Sequence, residues 1–288
     1  SARDKAEDTT GMSEDKKEQE APALNVAPSP HLSNTSVTTR GMMRDVLLGL
    51  LPVVLVAVWV FRQYAVFQLV LCVGTALASE WLFSRMRGRR CPLGDFSATV
   101  TGVILALSLP ALAPWYAAVI AAFMAIALGK AVFGGLGFNL FNPAMVGRAF
   151  VMIAFPAMLG ASAYVSDAST VDAITQATPL TVLKQAGETT PLMALVLGNT
   201  NGSLGETSAL ACLLGGLYLV ARRSASWEIP AGAIASLVLI AGAMQPAGGT
   251  PENWGVLHHL AGGAFLFGAF FIATDPVSSP ITVSGTWI

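Results

Sequence analysis

The chain is expected to be an all-α polytopic membrane protein, and three observations predict it. Hydrophobic residues make up 54% of its 288 residues and charged residues only 11%, against about 25% charged in an average globular chain. The charge is also confined: residues 1–45 hold six Lys/Arg and eight Asp/Glu, leaving ten and nine for residues 46–288. The apolar remainder falls into runs long enough to cross a hydrocarbon layer of about 30 Å, which takes roughly 20 helical residues. No basic face is available to hold nucleic acid.

Residues 1–40 are rich in Glu, Lys, Ser and Pro and cannot bury a core, so they read as a disordered cytoplasmic tail. Met12-Ser13-Glu14 reads as a candidate true start, and residues 1–40 hold no apolar signal-peptide core. Five spans are expected near 45–61, 65–84, 96–112, 114–132 and 143–160, forming a first membrane half over 41–160. A polar loop at 161–205 follows, and spans near 206–222, 229–246 and 257–274 occupy a second half over 206–288. Pro110 and Pro114 separate the third span from the fourth, and Gly134-Gly135-Leu136-Gly137 precedes the fifth. Residues 191–198 are apolar but too short to cross, which suits a re-entrant segment. Non-helical backbone at membrane depth is tolerated only against protein or water, so these breaks are candidate cofactor or ion sites.

Lys and Arg in short loops set the orientation. Arg40 and Arg44 precede the first span, Arg85, Arg87, Arg89 and Arg90 follow the second, and Arg222 and Arg223 follow the sixth. A cytoplasmic N-terminus puts all three clusters inside and the 161–205 loop outside. About five spans per half fits an inverted repeat, with the second half incomplete and two further spans expected beyond it. In that register the third span matches the eighth, each ending at a polar-Pro break: Ser108-Leu109-Pro110 and Thr274-Asp275-Pro276. The likeness of Gly94-Asp95-Phe96-Ser97-Ala98 to Gly205-Glu206-Thr207-Ser208-Ala209 does not fit this register and is set aside as coincidence.

Two stretches carry chemistry. In Gly134-Gly-Leu-Gly-Phe-Asn-Leu-Phe-Asn142-Pro143, the glycines permit close approach or positive φ. Asn142 suits an N-cap and Pro143 a first helical turn. Such a helix start can receive an anion or a carbonyl-bearing ring edge, and Arg148 in the following span calls for a partner. A tight-packing turn with a snorkelling arginine explains the same residues. The second stretch is Asp172-Ala-Ile-Thr175-Gln176-Ala177-Thr178-Pro179-Leu180 in the polar loop. Its threonine, six residues after an aspartate, fits a site where a transferase esterifies FMN, although a loop rich in Ser and Thr offers such matches by chance.

The other polar residues read more plainly. Cys72 and Cys212 sit in apolar runs as packing residues, Cys91 follows two arginines, and no C-x-x-C motif is present for zinc or an iron–sulfur cluster. Glu80, Glu206 and Asp275 lie near span ends, where solvated or capping carboxylates are usual. The neighbours His258 and His259 read as interfacial or packing residues. Trp59, Trp81, Trp115, Trp227 and Trp254 read as an interfacial belt.

Taken together, Phe133-Gly-Gly-Leu-Gly137, then Phe141-Asn-Pro-Ala-Met-Val-Gly-Arg-Ala-Phe150, then the loop ending Ala177-Thr-Pro-Leu180, resemble the D subunit of the Rnf complex. That family is related to the B subunit of the sodium-pumping NADH:quinone oxidoreductase. Gly205-Glu-Thr-Ser-Ala-Leu-Ala211 and Ala273-Thr-Asp-Pro-Val-Ser278 extend the resemblance over about residues 41–285. The resemblance implies a subunit of the bacterial inner membrane that carries electrons in an ion-coupled ferredoxin:NAD oxidoreductase. It implies FMN on Thr178 by a phosphoester, with Asp172, Thr175 and Ala177 serving transferase recognition; Gln176 stands where that pattern usually has Gly. It also implies a non-covalent riboflavin, for which Asn142-Pro143 and Asp275-Pro276 are candidate contacts. Its implied partners are the flavin transferase, the lipid bilayer and the other subunits of the complex, one of them also flavin-bearing. A quinone-reacting B subunit, a non-redox secondary transporter and a structural anchor are the alternatives.

Overall fold

A computed structural model describes residues 38–88, 93–156, 179–180, 183, 189–198, 200, 202–244, 254–280 and 282–287. Two long helices come first. Helix α1 (Thr39–Phe61) starts at Thr38, whose Oγ1 accepts from the Gly41 amide at 3.2 Å. A single left-handed residue, Arg62 (φ 48°), turns the chain into α2 (Gln63–Met86). At 23 and 24 residues both are apolar and long enough to cross a bilayer, each rising about 35 Å. Their outward residues are Leu51, Leu55, Trp59, Val66, Phe67 and Val70, all exposed. An apolar surface of this kind is what hydrocarbon, not water, solvates.

The remaining helices are shorter. Helix α3 (Ser97–Ser108) follows a 3₁₀ turn at Leu93–Asp95. It ends where Leu109 becomes extended and Pro110 forms an antiparallel bridge with Ser203. Helix α4 (Trp115–Ile126) starts just after Pro114 and runs into a π-turn, Ala127–Ala131. Helix α5 (Pro143–Ala154) is followed after the loop by α6 (Leu192–Leu197), the short segment read as re-entrant. Then come α7 (Ala209–Ala221) and α8 (Glu228–Met244). The expected eighth span is broken: α9 (Val256–Ala261) and α10 (Phe265–Phe267) are separated at Gly262 and Gly263. Helix α10 continues into a second π-turn, Gly268–Ile272, and α11 (Val283–Thr286) closes the described chain. Among the described residues there is no strand beyond the isolated bridge.

Close backbone approach holds the bundle together. Helix α1 packs on α7 where Gly49 faces Gly215, and a Cβ on Gly215 would run into the Gly49 carbonyl oxygen. Helix α4 packs on α5 in the same way, with Gly147 against the Ala121 carbonyl. Small residues at helix crossings are the usual device where apolar burial gives no preference between lipid and protein. An Asp45 carboxylate on α1 ties the pair at one end, 3.5 Å from Arg222 Nε and accepting from Ser224 Oγ at 2.9 Å. Cys72 and Cys212 are buried packing residues, as their apolar contexts indicate. Trp59, Trp81, Trp115 and Trp227 are exposed, as a belt requires, but Trp254 is wholly buried. Its ring lies tilted against His258 and edge-on to His259, with centroids 5.1 and 5.9 Å away.

Candidate functional site

Both π-turns, and the Asn142-Pro143 and Asp275-Pro276 breaks that follow them, feed one cleft. Each π-turn adds a residue to its helix, re-aiming the side chains that follow; such bulges recur at functional sites. After the first π-turn the chain passes Gly134, Gly135 and Gly137, all at positive φ (115°, 122° and 93°), a path open to glycine at no steric cost. It then reaches Asn142, whose side chain accepts from the Ala144 amide at 3.0 Å and caps α5 as its sequence position predicts. Gly129 lets the π-turn press on this cap: a Cβ there would stand 2.7 Å from Pro143 Cα. After the second π-turn, Thr274 Oγ1 donates back to the Phe270 carbonyl at 2.6 Å, and Asp275 Oδ2 accepts from Ser278 Oγ at 2.8 Å.

Asn142 and Asp275 thus line the same cleft, although 133 positions separate them in the chain. Ser97, Thr101, Lys130, Asn139, Ser224 and Thr274 supply its other polar groups, and Val100, Ile104, Leu219 and Phe271 are among its apolar walls. Asn139 is buried; its Nδ2 donates to the Phe141 carbonyl at 3.1 Å, while its Oδ1 has no hydrogen-bond partner among the described residues. A buried acceptor left unmade costs free energy, so this oxygen calls for a donor from a bound group. The enclosed space is about 50 Å³, roughly four water molecules at 10–15 Å³ each.

Beside the cleft lies a buried charged chain. Lys130 Nζ, on the first π-turn, donates to Glu80 Oε1 of α2 and to Ser97 Oγ at 2.5 Å. Ser97 Oγ in turn donates to Asp95 Oδ1 at 2.6 Å, which also accepts from the Ser97 amide at 2.8 Å. Glu80 is only 4% exposed and its Oε2 has no partner among the described residues. This corrects the expectation of a solvated carboxylate at a span end. Lys130 lines a second, larger cavity of about 440 Å³ as well, together with Glu80, Arg87, Asp95, Gly134 and Gly135. Lys130 and Leu136 border both spaces.

Arg148 does not join this cleft. It lies six residues along α5 from Asn142, about 9 Å at helical rise, and faces Ser108, Leu109, Pro110 and Met152 instead. Thr178, Asp172, Thr175 and Ala177 lie outside the described residues. Leu180, two positions after Thr178, is described and packs at the break between α9 and α10, where a Cβ on Gly263 would meet its Cδ1 at 3.0 Å. Sequence reading missed Lys130, Ser97, Thr101 and Asn139. One signal was available: Lys130 and Lys184 are the chain's only lysines beyond residue 17, and Lys130 sits in an apolar run.

The sequence matches the model of the NQR2, RnfD, RnfE family over residues 25–288. The chain belongs to that family. The match begins earlier than the resemblance seen in the motifs, taking in part of the tail. Among relatives, the chain is 39% identical to the D subunit of the Na(+)-translocating ferredoxin:NAD(+) oxidoreductase complex of Acetobacterium woodii, covering 91% of this chain and 80% of that protein. It is 36% identical to the D subunit of the proton-translocating ferredoxin:NAD(+) oxidoreductase complex of Clostridium ljungdahlii, over 91% and 81%. It is 42% identical to the D subunit of the ion-translocating oxidoreductase complex of Halorhodospira halophila, over 85% and 77%. The resemblance to the D subunit of the Rnf complex is therefore shared along most of this family member's length.

Proposed function

We propose that the chain is the electron-carrying membrane subunit of an ion-coupled ferredoxin:NAD oxidoreductase. It carries FMN esterified to Thr178 and a second, dissociable riboflavin at the cleft between Asn142 and Asp275. The relatives' names supply the class of complex, and the Asp172–Thr178 motif supplies the attachment point. The observation that carries the reading is the convergence of Asn139, Asn142, Lys130 and Asp275 on one cleft with an unpartnered buried acceptor.

The residues fit the polar edge of a flavin, where carbonyl and N–H groups alternate. Asn139 Oδ1 would take an N–H, and Lys130 would donate to a carbonyl. Apolar walls at Val100, Ile104 and Phe271 suit the ring's faces. The 50 Å³ within the cleft is room for such an edge and not for a whole ring. The bound flavin supplies one- and two-electron chemistry; the chain binds it, orients it and keeps water out.

The arrangement in the membrane is eight spans with the N-terminus in the cytoplasm and Thr178 on the periplasmic side. The positions of the arginine clusters support it. Partners are the other subunits of the complex, including another flavin-bearing one, and the flavin transferase. Extraction of the purified chain tests the cleft. Dissociable riboflavin should be recovered from the parent and lost in Asn139→Ala and Asp275→Ala, while flavin that stays with the denatured chain persists in both. Parent protein free of dissociable flavin would overturn the reading.

A further inference from the structure

We propose that Lys130 sets how readily the flavin in this cleft takes up an electron, and that Glu80 limits its effect. The inference rests on the dissociable-flavin reading above. Lys130 is 3% exposed, and its ammonium group has three N–H donors. Among the described residues, Glu80 Oε1 and Ser97 Oγ accept two of them, and the third is available to a ligand. Lys130 is also one of the residues that border the cleft with Asn139, Asn142 and Asp275.

A flavin gains negative charge when it is reduced. A fixed cation beside it, out of water, favours that form, because charges interact more strongly at low effective dielectric. Glu80 offsets the cation, and its partnerless Oε2 leaves that carboxylate less satisfied than its burial demands. Among the described residues, the other charges facing this cluster are Asp95 and Arg87 from the larger cavity and Asp275 from the cleft. Because Lys130 and Glu80 oppose one another, removing each charge should move the flavin's potential in opposite directions. A role confined to packing makes no such demand.

The test is a potentiometric titration of the dissociable flavin in the purified full chain carrying Thr178→Ala, which removes the covalent carrier. Lys130→Gln should lower the reduced-to-oxidised ratio at a fixed potential on the order of tenfold. Glu80→Gln should raise it by a similar factor, as one unit charge several ångströms away would do. Tenfold corresponds to about 30 mV for a two-electron couple. Flavin retained at an unchanged potential in both variants overturns the inference, as do shifts of the same sign. If Lys130→Gln loses the flavin, Glu80→Gln decides alone: an upward shift supports the inference, and an unmoved potential overturns it. A parent chain without dissociable flavin overturns the reading beneath it, and the inference falls with it.

Discussion

Lys130 and Glu80, fifty positions apart in the chain, meet in a buried ion pair that joins the π-turn after α4 to the later part of α2. Losing one partner leaves the other charge buried and uncompensated, which costs about 3–5 kcal/mol. Glu80→Leu or Lys130→Met alone should therefore lower the thermal unfolding temperature of the detergent-solubilised protein sharply. The double variant Glu80→Leu/Lys130→Met should recover most of that loss, since an apolar pair of similar volume replaces a buried ion pair at little cost. Double and single variants melting alike would contradict the pairing.

The α1–α7 crossing depends on the absence of a side chain at Gly215. Gly215→Ala drives a methyl group into the Gly49 carbonyl and should destabilise by about 1–3 kcal/mol. Gly242, on α8, has nothing within 4 Å of the position its Cβ would take. Gly242→Ala should be neutral or stabilising by about 0.5–1 kcal/mol, the helix-propensity gain of alanine. Melting curves of the two variants side by side read the contrast directly.

Asn142 has two duties, capping α5 and lining the cleft. As the cap of α5 it is replaceable by Asp, so Asn142→Asp should keep stability while Asn142→Ala loses about 1 kcal/mol. Arg148, on the far stretch of α5, faces Pro110 rather than Asp275. Arg148→Gln should leave the dissociable flavin content unchanged. Loss of flavin in that variant would show that the site reaches further along α5 than the cleft does.

Orientation is tested by labelling. With Cys91 replaced by Ser, a cysteine introduced as Thr170→Cys should react with a membrane-impermeant maleimide added to the periplasmic side of intact cells. Cys72 and Cys212 are buried and should stay silent. Labelling only after the membrane is permeabilised would place the loop inside.

Helix positions were legible in the sequence because apolar run length and breakers act locally. Pro114, the Asn142-Pro143 cap and the Phe61–Gln63 junction stand within a residue or two of where they were expected. The break at Gly262-Gly263 is not legible because the apolar residues of Val256–Ala261 and Phe265–Ile272 form a nearly continuous run, and two glycines between them barely lower its hydropathy. Asn142 and Asp275 were each legible as breaks, since cap and proline chemistry is local. Their meeting was not legible, because it depends on π-turns, which leave no composition signal. Glu80 was read as solvated for a related reason: its partner lies on another element, far away in the chain. Trp254 looked like a belt residue because position along a span says nothing about which face turns inward.

The central claim is the covalent carrier, and ultraviolet in-gel fluorescence of the denatured protein from its native host tests it most directly. The wild-type band should fluoresce, and the Thr178→Ala band should be dark. Fluorescence in both would move the flavin to another residue. Darkness in both, with the flavin transferase present, would contradict the account and favour a membrane protein that carries no covalent flavin.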